Sequence, residues 1–221
     1  MYKVFINGNI LFIAEKPVKH LPGCRKITVL PFHDGEEMLQ VIELFENHNS
    51  EKLCYCITGS DLPLMWRRFK KYFQLIVAGG GLVRNDKDKI LFIFRNGKWD
   101  LPKGKVESDE EIEMTALREV KEECGITNLL LIRHLTDTYH TYGSPMSRKL
   151  KRTSWYSMYT EDSDLIPQKN EGISKVKWKK PSKIEKLKEN TYANILDVLA
   201  VELTVREGYS DKEWHDMTNF E

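Results

Sequence analysis

The chain has 221 residues, enough for one large domain or for one medium and one small domain. Apolar residues make up 41 % and charged residues 30 %, the ordinary balance of a globular protein. A net charge of +1 gives no overall attraction to nucleic acid or membranes, and the longest apolar runs fall far short of a membrane span.

The first 73 residues read as a small α/β unit. Tyr2–Ile6 and Ile10–Ile13 are strand candidates flanking Asn7-Gly8, a strong hairpin signal. Ile27–Phe32 is a third strand. Glu36–Glu46 is helical, with Met38, Ile42 and Phe45 on one stripe. Leu53–Thr58 is a fourth strand and Leu62–Lys71 a second helix. No catalytic motif appears in this unit; Lys16, Lys19, His20, Arg25 and Lys26 are locally basic but read equally well as scattered surface charge. The opening stretch carries Asn7 and Gly8 inside its apolar run and no small-residue cleavage site, which argues against a secretory signal. None of Cys24, Cys54, Cys56 and Cys124 forms a CxxC pair. Reduced, mostly buried thiols in a cytoplasmic protein are therefore expected rather than a zinc site.

From Gln74 the pattern changes, and residues 74–204 read as the second domain, followed by a polar tail over 205–221. Leu75–Val83 and Lys89–Phe94 are strands joined by the turn-forming Asn85–Asp88. Gly79-Gly80-Gly81 lies inside the first of them. It lacks the lysine and Ser/Thr of a phosphate loop, so close packing near a site is favoured over phosphate cradling. Leu129–Tyr139, Thr153–Thr160 and Ser174–Trp178 are further strands, and Ile184–Leu203 a closing helix.

The most informative stretch is residues 104–126. Ser108 followed three residues later by Glu111 has the form of a capping box, which starts a helix after Ser108, and Gly125 supplies its stop. Ile112, Ala116 and Val120 form the buried stripe. Glu119, Glu122 and Glu123 stand at i, i+3 and i+4, so their carboxylates share one neighbourhood of the helix. Such a cluster repels itself unless a cation is present, and Mg²⁺ takes oxygen ligands while keeping waters for substrate phosphates. An acidic helix face exposed to water would account for the glutamates alone, but not for the glycine and arginine spacings.

This segment resembles the Nudix box, G-x5-E-x7-R-E-U-x-E-E-x-G-U with U aliphatic. Gly104, Glu110, Arg118, Glu119, Val120, Glu122, Glu123, Gly125 and Ile126 fill its specified positions. The resemblance covers Gln74–Leu203 and implies a Nudix α/β/α sandwich with a mixed sheet, here preceded by the small N-terminal α/β domain. It implies Mg²⁺, with Mn²⁺ as a substitute, held by Glu119, Glu122, Glu123 and the Gly104 carbonyl, and hydrolysis of a diphosphate linkage. Glu119 is the family's frequent general base, oriented by Arg118; Glu171, in a downstream loop, is the alternative base, and Glu110 is read as supporting the loop. The missing zinc cysteines set the chain apart from the zinc-carrying NADH pyrophosphatase branch.

Arg95, Lys98 and Lys103 upstream, and Arg148, Lys149, Lys151 and Arg152 downstream, are candidate phosphate-binding cations. Tyr139, His140 and Tyr142 could stack on a base, or be strand-face aromatics. Trp99–Glu107 is similar to the W-x-L-P-K-G-x-x-E run of diadenosine-polyphosphate and diphosphoinositol-polyphosphate hydrolases. This favours a dinucleoside polyphosphate or similar polyphosphate as substrate. A housecleaning nucleoside triphosphate pyrophosphatase and a non-hydrolysing nucleotide sensor are the alternatives; retention of every box glutamate favours catalysis. The first unit could form a homodimer, lid the active site or bind a partner. Neither a membrane nor nucleic acid is an expected partner, since no basic-aromatic motif is evident.

Overall fold

The structure, a computed structural model, describes residues 1–21 and 24–207. In chain order it contains β1 (Tyr2–Ile6), β2 (Asn9–Ala14), β3 (Thr28–Pro31), α1 (Glu36–Asn47), β4 (Cys54–Thr58), α2 (Leu62–Lys70) and β5 (Gln74–Asn85). There follow β6 (Ile90–Arg95), β7 (Lys98–Asp100), β8 (Lys103–Lys105), α3 (Ile112–Cys124), β9 (Leu130–Ser144), β10 (Ser147–Thr160) and β11 (Ile173–Lys179). The short α4 (Ile184–Leu187) and the longer α5 (Ala193–Glu207) complete it, so the tail expected from residue 205 begins as helix and from 208 lies outside the described residues. No described helix is long and apolar enough to cross a membrane.

The described chain divides into two compact units: Met1–Ile76 with Thr138–Arg152, and Val77–Asp137 with the described residues from Thr153 onward. In the first, β1 and β2 pair antiparallel around Asn7-Gly8, both at positive φ (47° and 81°). β4 runs parallel to β2 and to β3, and β1 pairs in parallel with β9 at Val4–Tyr139 and Phe5–His140. α1 ends without a basic residue. One of its last carbonyls is taken by two amides instead: Asn7 Nδ2 donates to Phe45 O (3.2 Å) and Asn9 Nδ2 to the same oxygen (3.3 Å). Val4, Ile6, Leu11 and Ile13 meet Met38, Ile42 and Phe45 of α1 and Trp66 and Phe69 of α2 in one core. Tyr2 stacks on Trp66 with ring centroids 3.9 Å apart.

The reduced state expected for the thiols holds for buried Cys56 and Cys124 only. Cys24 and Cys54 form a disulfide, their Cα atoms 6.1 Å apart, which ties the loop before β3 to the first residue of β4. Thirty residues separate them, a distance at which spacing carries no pairing information.

The second unit follows from the two-residue period of its strands. Leu82, Ile90, Phe92 and Trp155 point to one face and meet Ile184 and Leu187 of α4 and Ile195, Val198 and Leu199 of α5. Their neighbours Val83, Leu91, Ile93, Tyr156 and Met158 point to the other and meet Ala116, Val120 and Cys124 of α3. Helices on both faces of the β11-β6-β5-β10-β9 sheet make the α/β/α sandwich. The single closing helix expected over Ile184–Leu203 is broken, because Thr191 is extended (φ −140°, ψ 174°). Its hydroxyl donates to Trp99 O at 2.8 Å, and it bridges to β7.

The segment leaving α3 is clamped by one carboxylate. Asp162 accepts from Thr127 N (2.7 Å), Asn128 N (3.0 Å), Thr127 Oγ1 (2.9 Å) and Asn128 Nδ2 (3.2 Å). These donors hold its pKa down to about 2. A carboxyl whose folded pKa is depressed contributes stability above its unfolded value, and that stability is lost as pH falls through the folded value. Asp162→Asn should therefore cost about 1 kcal/mol near pH 7, a figure reduced for the solvent around the group. The difference from the native chain should close as pH falls from about 4 towards 2. Urea denaturation across that range measures it, and a gap independent of pH would remove charge as its source.

Candidate active site

Two glycines set the distance between sheet and helix. β8 pairs antiparallel with β5, Gly79 opposite Gly104. A Cβ on Gly79 would lie 2.6 Å from Ile112 O and 2.8 Å from Ala116 N, so only a glycine lets α3 press this closely on the strand. Gly80 and Gly81 are equally crowded, against Lys103, Pro102 and Trp155, and against Met158 and Val120. The glycine triplet thus serves packing beside the site. At Gly104 the space a Cβ would occupy is filled by the Glu119 carboxyl, whose atoms lie 1.9–2.1 Å from that position.

Helix α3 starts later than the Ser108 capping pattern implies. Glu111 is its N-cap, extended and without a side-chain cap, and Ser108 lies in a turn with Asp109 at φ 62°. The organising group is Glu110. Arg118 grips it with a two-toothed fork, Nε to Oε1 at 2.8 Å and Nη2 to Oε2 at 2.9 Å. Thr115 Oγ1 (2.7 Å) and Glu107 N (3.2 Å) donate to the same carboxylate. Charge-assisted bidentate bonds outweigh a neutral serine cap, which explains the displaced start. The Arg118 guanidinium, with the Thr115 hydroxyl, holds the Glu110 carboxyl down to about 2.

The same arginine reaches the box glutamates. Its Nη1 donates to Glu119 Oε1 (2.8 Å) and to Glu122 Oε2 (3.3 Å), and its Nη2 to Lys105 O (3.2 Å). Glu123 is 1 % exposed and accepts from the backbone N–H of Lys103 (2.9 Å) and from Arg95 Nη1 (3.5 Å). Burial pushes its pKa up to about 7, and burial also raises that of Glu119. Arg95 Nη2 donates to Glu171 at 3.2 Å, so one guanidinium links the helix glutamate to the downstream loop. That loop is fastened to the end of α3: Ile166 N donates to Cys124 O (2.9 Å) and Gln168 N to Glu123 O (3.3 Å). Gly125 (φ 74°) leaves the room Ile166 needs.

Expected site residues therefore divide. Two hydrogen-bonded groups form: Arg118 joins Glu119 and Glu122, with Glu119 seated against Gly104, and Arg95 joins Glu123 and Glu171, with Lys103 contributing its backbone N–H. The Lys103 ammonium turns away to the Asp100 carboxylate. Lys98 lies 5.0 Å from the centroid of the Tyr192 ring. Tyr142 and Lys151 belong to the first unit, where Lys149 and Lys151 stand 5.8 and 6.0 Å from the Tyr142 ring. In the same unit Arg148 pairs with Glu46 at 2.8 Å. Thr115 and Asp100 escaped the sequence reading, since neither spacing nor residue type marks a hydroxyl or carboxylate as a partner of one particular ion.

Among the described residues no three carboxylate, histidine or cysteine side chains converge as a ready-made metal cage. The donors nevertheless fit a hard dication. They are all oxygen, one is buried with its charged form disfavoured, and the Gly104 backbone is open where the Glu119 carboxyl lies.

A NUDIX domain family model matches residues 75–199, more than half of the chain. The ADP-ribose pyrophosphatase of Methanocaldococcus jannaschii is 33 % identical over 114 residues, covering 42 % of this chain; the chain spans 64 % of that relative's length. A solved MutT protein from Methanosarcina mazei Go1 superposes with a TM-score of 0.50 at 25 % identity, covering 62 % of this chain and 98 % of that one. The NUDIX domain of Shewanella oneidensis NrtR, solved in complex with ADP ribose, gives 0.48 at 18 % identity, over 61 % of this chain and 90 % of its own. With Arg118, Glu119, Glu122 and Glu123 gathered on one helix and its family region spanning most of the second unit, the chain belongs to the NUDIX domain family.

Proposed function

We propose that the chain hydrolyses the diphosphate linkage of a nucleoside-diphosphate derivative with the aid of a divalent cation. The observation that carries this reading is the seating of the Glu119 carboxyl against the Gly104 backbone, with Glu122 and buried Glu123 on the same helix. Glu119, Glu122, Glu123 and the Gly104 carbonyl would hold Mg²⁺ or Mn²⁺, which when bound supplies an activated water and neutralises the leaving phosphate. Arg118 fixes the orientation of Glu119 and, through Glu110, the loop that precedes the helix. Arg95 holds Glu171 beside Glu123, which makes Glu171 the second candidate, after Glu119, for accepting a proton from the attacking water.

ADP-ribose is the first substrate to test, because the M. jannaschii relative is named for that activity. The Trp99–Glu107 run supports dinucleoside polyphosphates as the second. The downstream basic run supports them less, since Arg148 is committed to Glu46. Products should be analysed for ADP-ribose, dinucleoside polyphosphates and nucleoside triphosphates with Mg²⁺, with Mn²⁺ and after chelation. Glu122→Gln should lower turnover about 100-fold or more, and chelation should abolish it. Persistent turnover after chelation would overturn the metal-dependent reading. Tight nucleotide binding without turnover would favour a sensor. Glu171→Gln separates the two bases: kcat falling at constant KM assigns the proton transfer to Glu171, and unchanged kcat leaves it with Glu119.

A further inference from the structure

The face of the second unit opposite α3 carries a basic and aromatic surface that no linear motif announces. β11 is the edge strand of its sheet. Its register sets Lys175 opposite Phe94, Lys177 opposite Phe92 and Lys179 opposite Ile90, so the three lysines share one face. Val176 and Trp178, between them, pack on the other face against the α3 side of the core. Alternate residues of a strand stand about 7 Å apart, so the three lysines leave the backbone at even intervals along one face. That spacing is comparable with the interval between neighbouring phosphates of an extended nucleic-acid strand.

Aromatic rings accompany the row. Phe94 and Trp99 lie 4.9 Å apart. Lys175 Nζ stands 5.6 Å from the Phe94 centroid and Lys179 Nζ 3.6 Å from that of Trp99. Beyond them Lys98 lies over Tyr192. None of these four lysines takes part in a salt bridge among the described residues, and Lys177 and Lys179 repel each other. Lysines on an edge strand also prevent two sheets from joining edge to edge. That role accounts for the lysines but not for their placement over half-buried rings from β6, β7 and the loop before α5, of which Trp99 and Tyr192 also pack in part against the core.

We propose that β11 and the rings beside it bind single-stranded nucleic acid, Lys175, Lys177 and Lys179 pairing with successive phosphates and the Phe94–Trp99–Tyr192 group offering faces for bases. A cationic row that follows a backbone, together with rings on which any base can stack, is how single strands are held without sequence preference. Among the described residues none of these lysines or rings bonds a box glutamate, and binding is read without hydrolysis.

Fluorescence anisotropy of the full chain with a labelled oligouridylate, titrated between about 50 and 200 mM salt, measures the proposal. In the triple variant Lys175→Gln, Lys177→Gln, Lys179→Gln the slope of log K against log salt should shrink by about 2, close to 0.7 per lost phosphate contact. Inorganic polyphosphate of equal charge should bind the native chain about tenfold more weakly, for want of bases to stack. Circular dichroism and gel filtration establish that the variant remains folded and monomeric to the same extent as the native chain. An unchanged slope, or equal affinity for polyphosphate, would overturn the proposal. Absence of binding by the native chain, with self-association of the variant, would leave the lysines as guards of the sheet edge.

Discussion

Gly104→Ala is expected to leave the protein folded and nearly inactive. The added methyl group falls 1.9–2.1 Å from the Glu119 carboxyl atoms, and these are the far end of a flexible side chain. Glu119 can swing aside at small cost to folding, so the melting temperature should move by only a few degrees. Displacement by about 1 Å of a group that must face a water and a phosphate is worth about 100-fold in rate, and turnover should fall by that much. Measuring kcat/KM beside thermal denaturation separates the two effects. Full activity in a folded Gly104→Ala chain would show that the contact is incidental. Gly79→Ala makes the opposite contrast: its methyl group meets the backbone at Ile112 O and Ala116 N. The helix would have to leave the strand, so stability suffers first.

The second large effect concerns an ion cluster in the second unit, away from the Nudix box. Glu202 on α5 is fully buried and accepts from Arg84 Nε (3.1 Å) on β5 and Arg133 Nη2 (3.0 Å) on β9. Arg84 is 1 % exposed and also reaches Asp88 at 2.8 Å. Its Nη2 has no hydrogen-bond partner among the described residues, so its charge depends on these two carboxylates. Glu202→Leu leaves that buried charge stranded but for half-exposed Asp88, and should cost about 3–5 kcal/mol. For a unit of this size the melting temperature should drop on the order of 10 °C. Adding Arg84→Met removes the stranded charge and should recover much of the loss, because a well-packed apolar pair often replaces a buried ion pair at little cost. If the double variant is no more stable than Glu202→Leu alone, shape rather than charge holds α5 to the sheet.

Local signals were legible wherever one residue type has one physical use. Asn7-Gly8 turned β1 into β2 because positive φ costs asparagine little and glycine, with no Cβ, almost nothing. Gly125 ended α3 in the left-handed conformation. The alternation of apolar residues placed the strands, and the four-residue stripe of Ile112, Ala116 and Val120 found the buried face of the catalytic-box helix. Where two local signals competed, the stronger bond decided. The Arg118 fork on Glu110 overrode the Ser108 cap, and the Thr191 bond to Trp99 O broke a helix that its hydrophobic spacing supports.

By itself the sequence determined the Nudix box, the order of the longer strands and of α1 to α3, the sandwich through its family resemblance and the identity of the carboxylates on α3, because these depend on residues within a few turns or strands of one another; the short β7 and β8 and the break between α4 and α5 were not legible. Tertiary structure alone decided which cations those carboxylates meet. It gave Arg95 to Glu123 and Glu171 and turned the Lys103 ammonium to Asp100. It placed Tyr142 and Lys151 in the first unit, through a hairpin whose outer part pairs with β1, and it joined Cys24 to Cys54. The lysine row and its rings became a surface only when β6, β7 and β11 lay side by side. Long charged side chains reach any of several partners, and the one chosen is fixed by strand register and by helices packing to the nearest glycine, which local spacing does not encode.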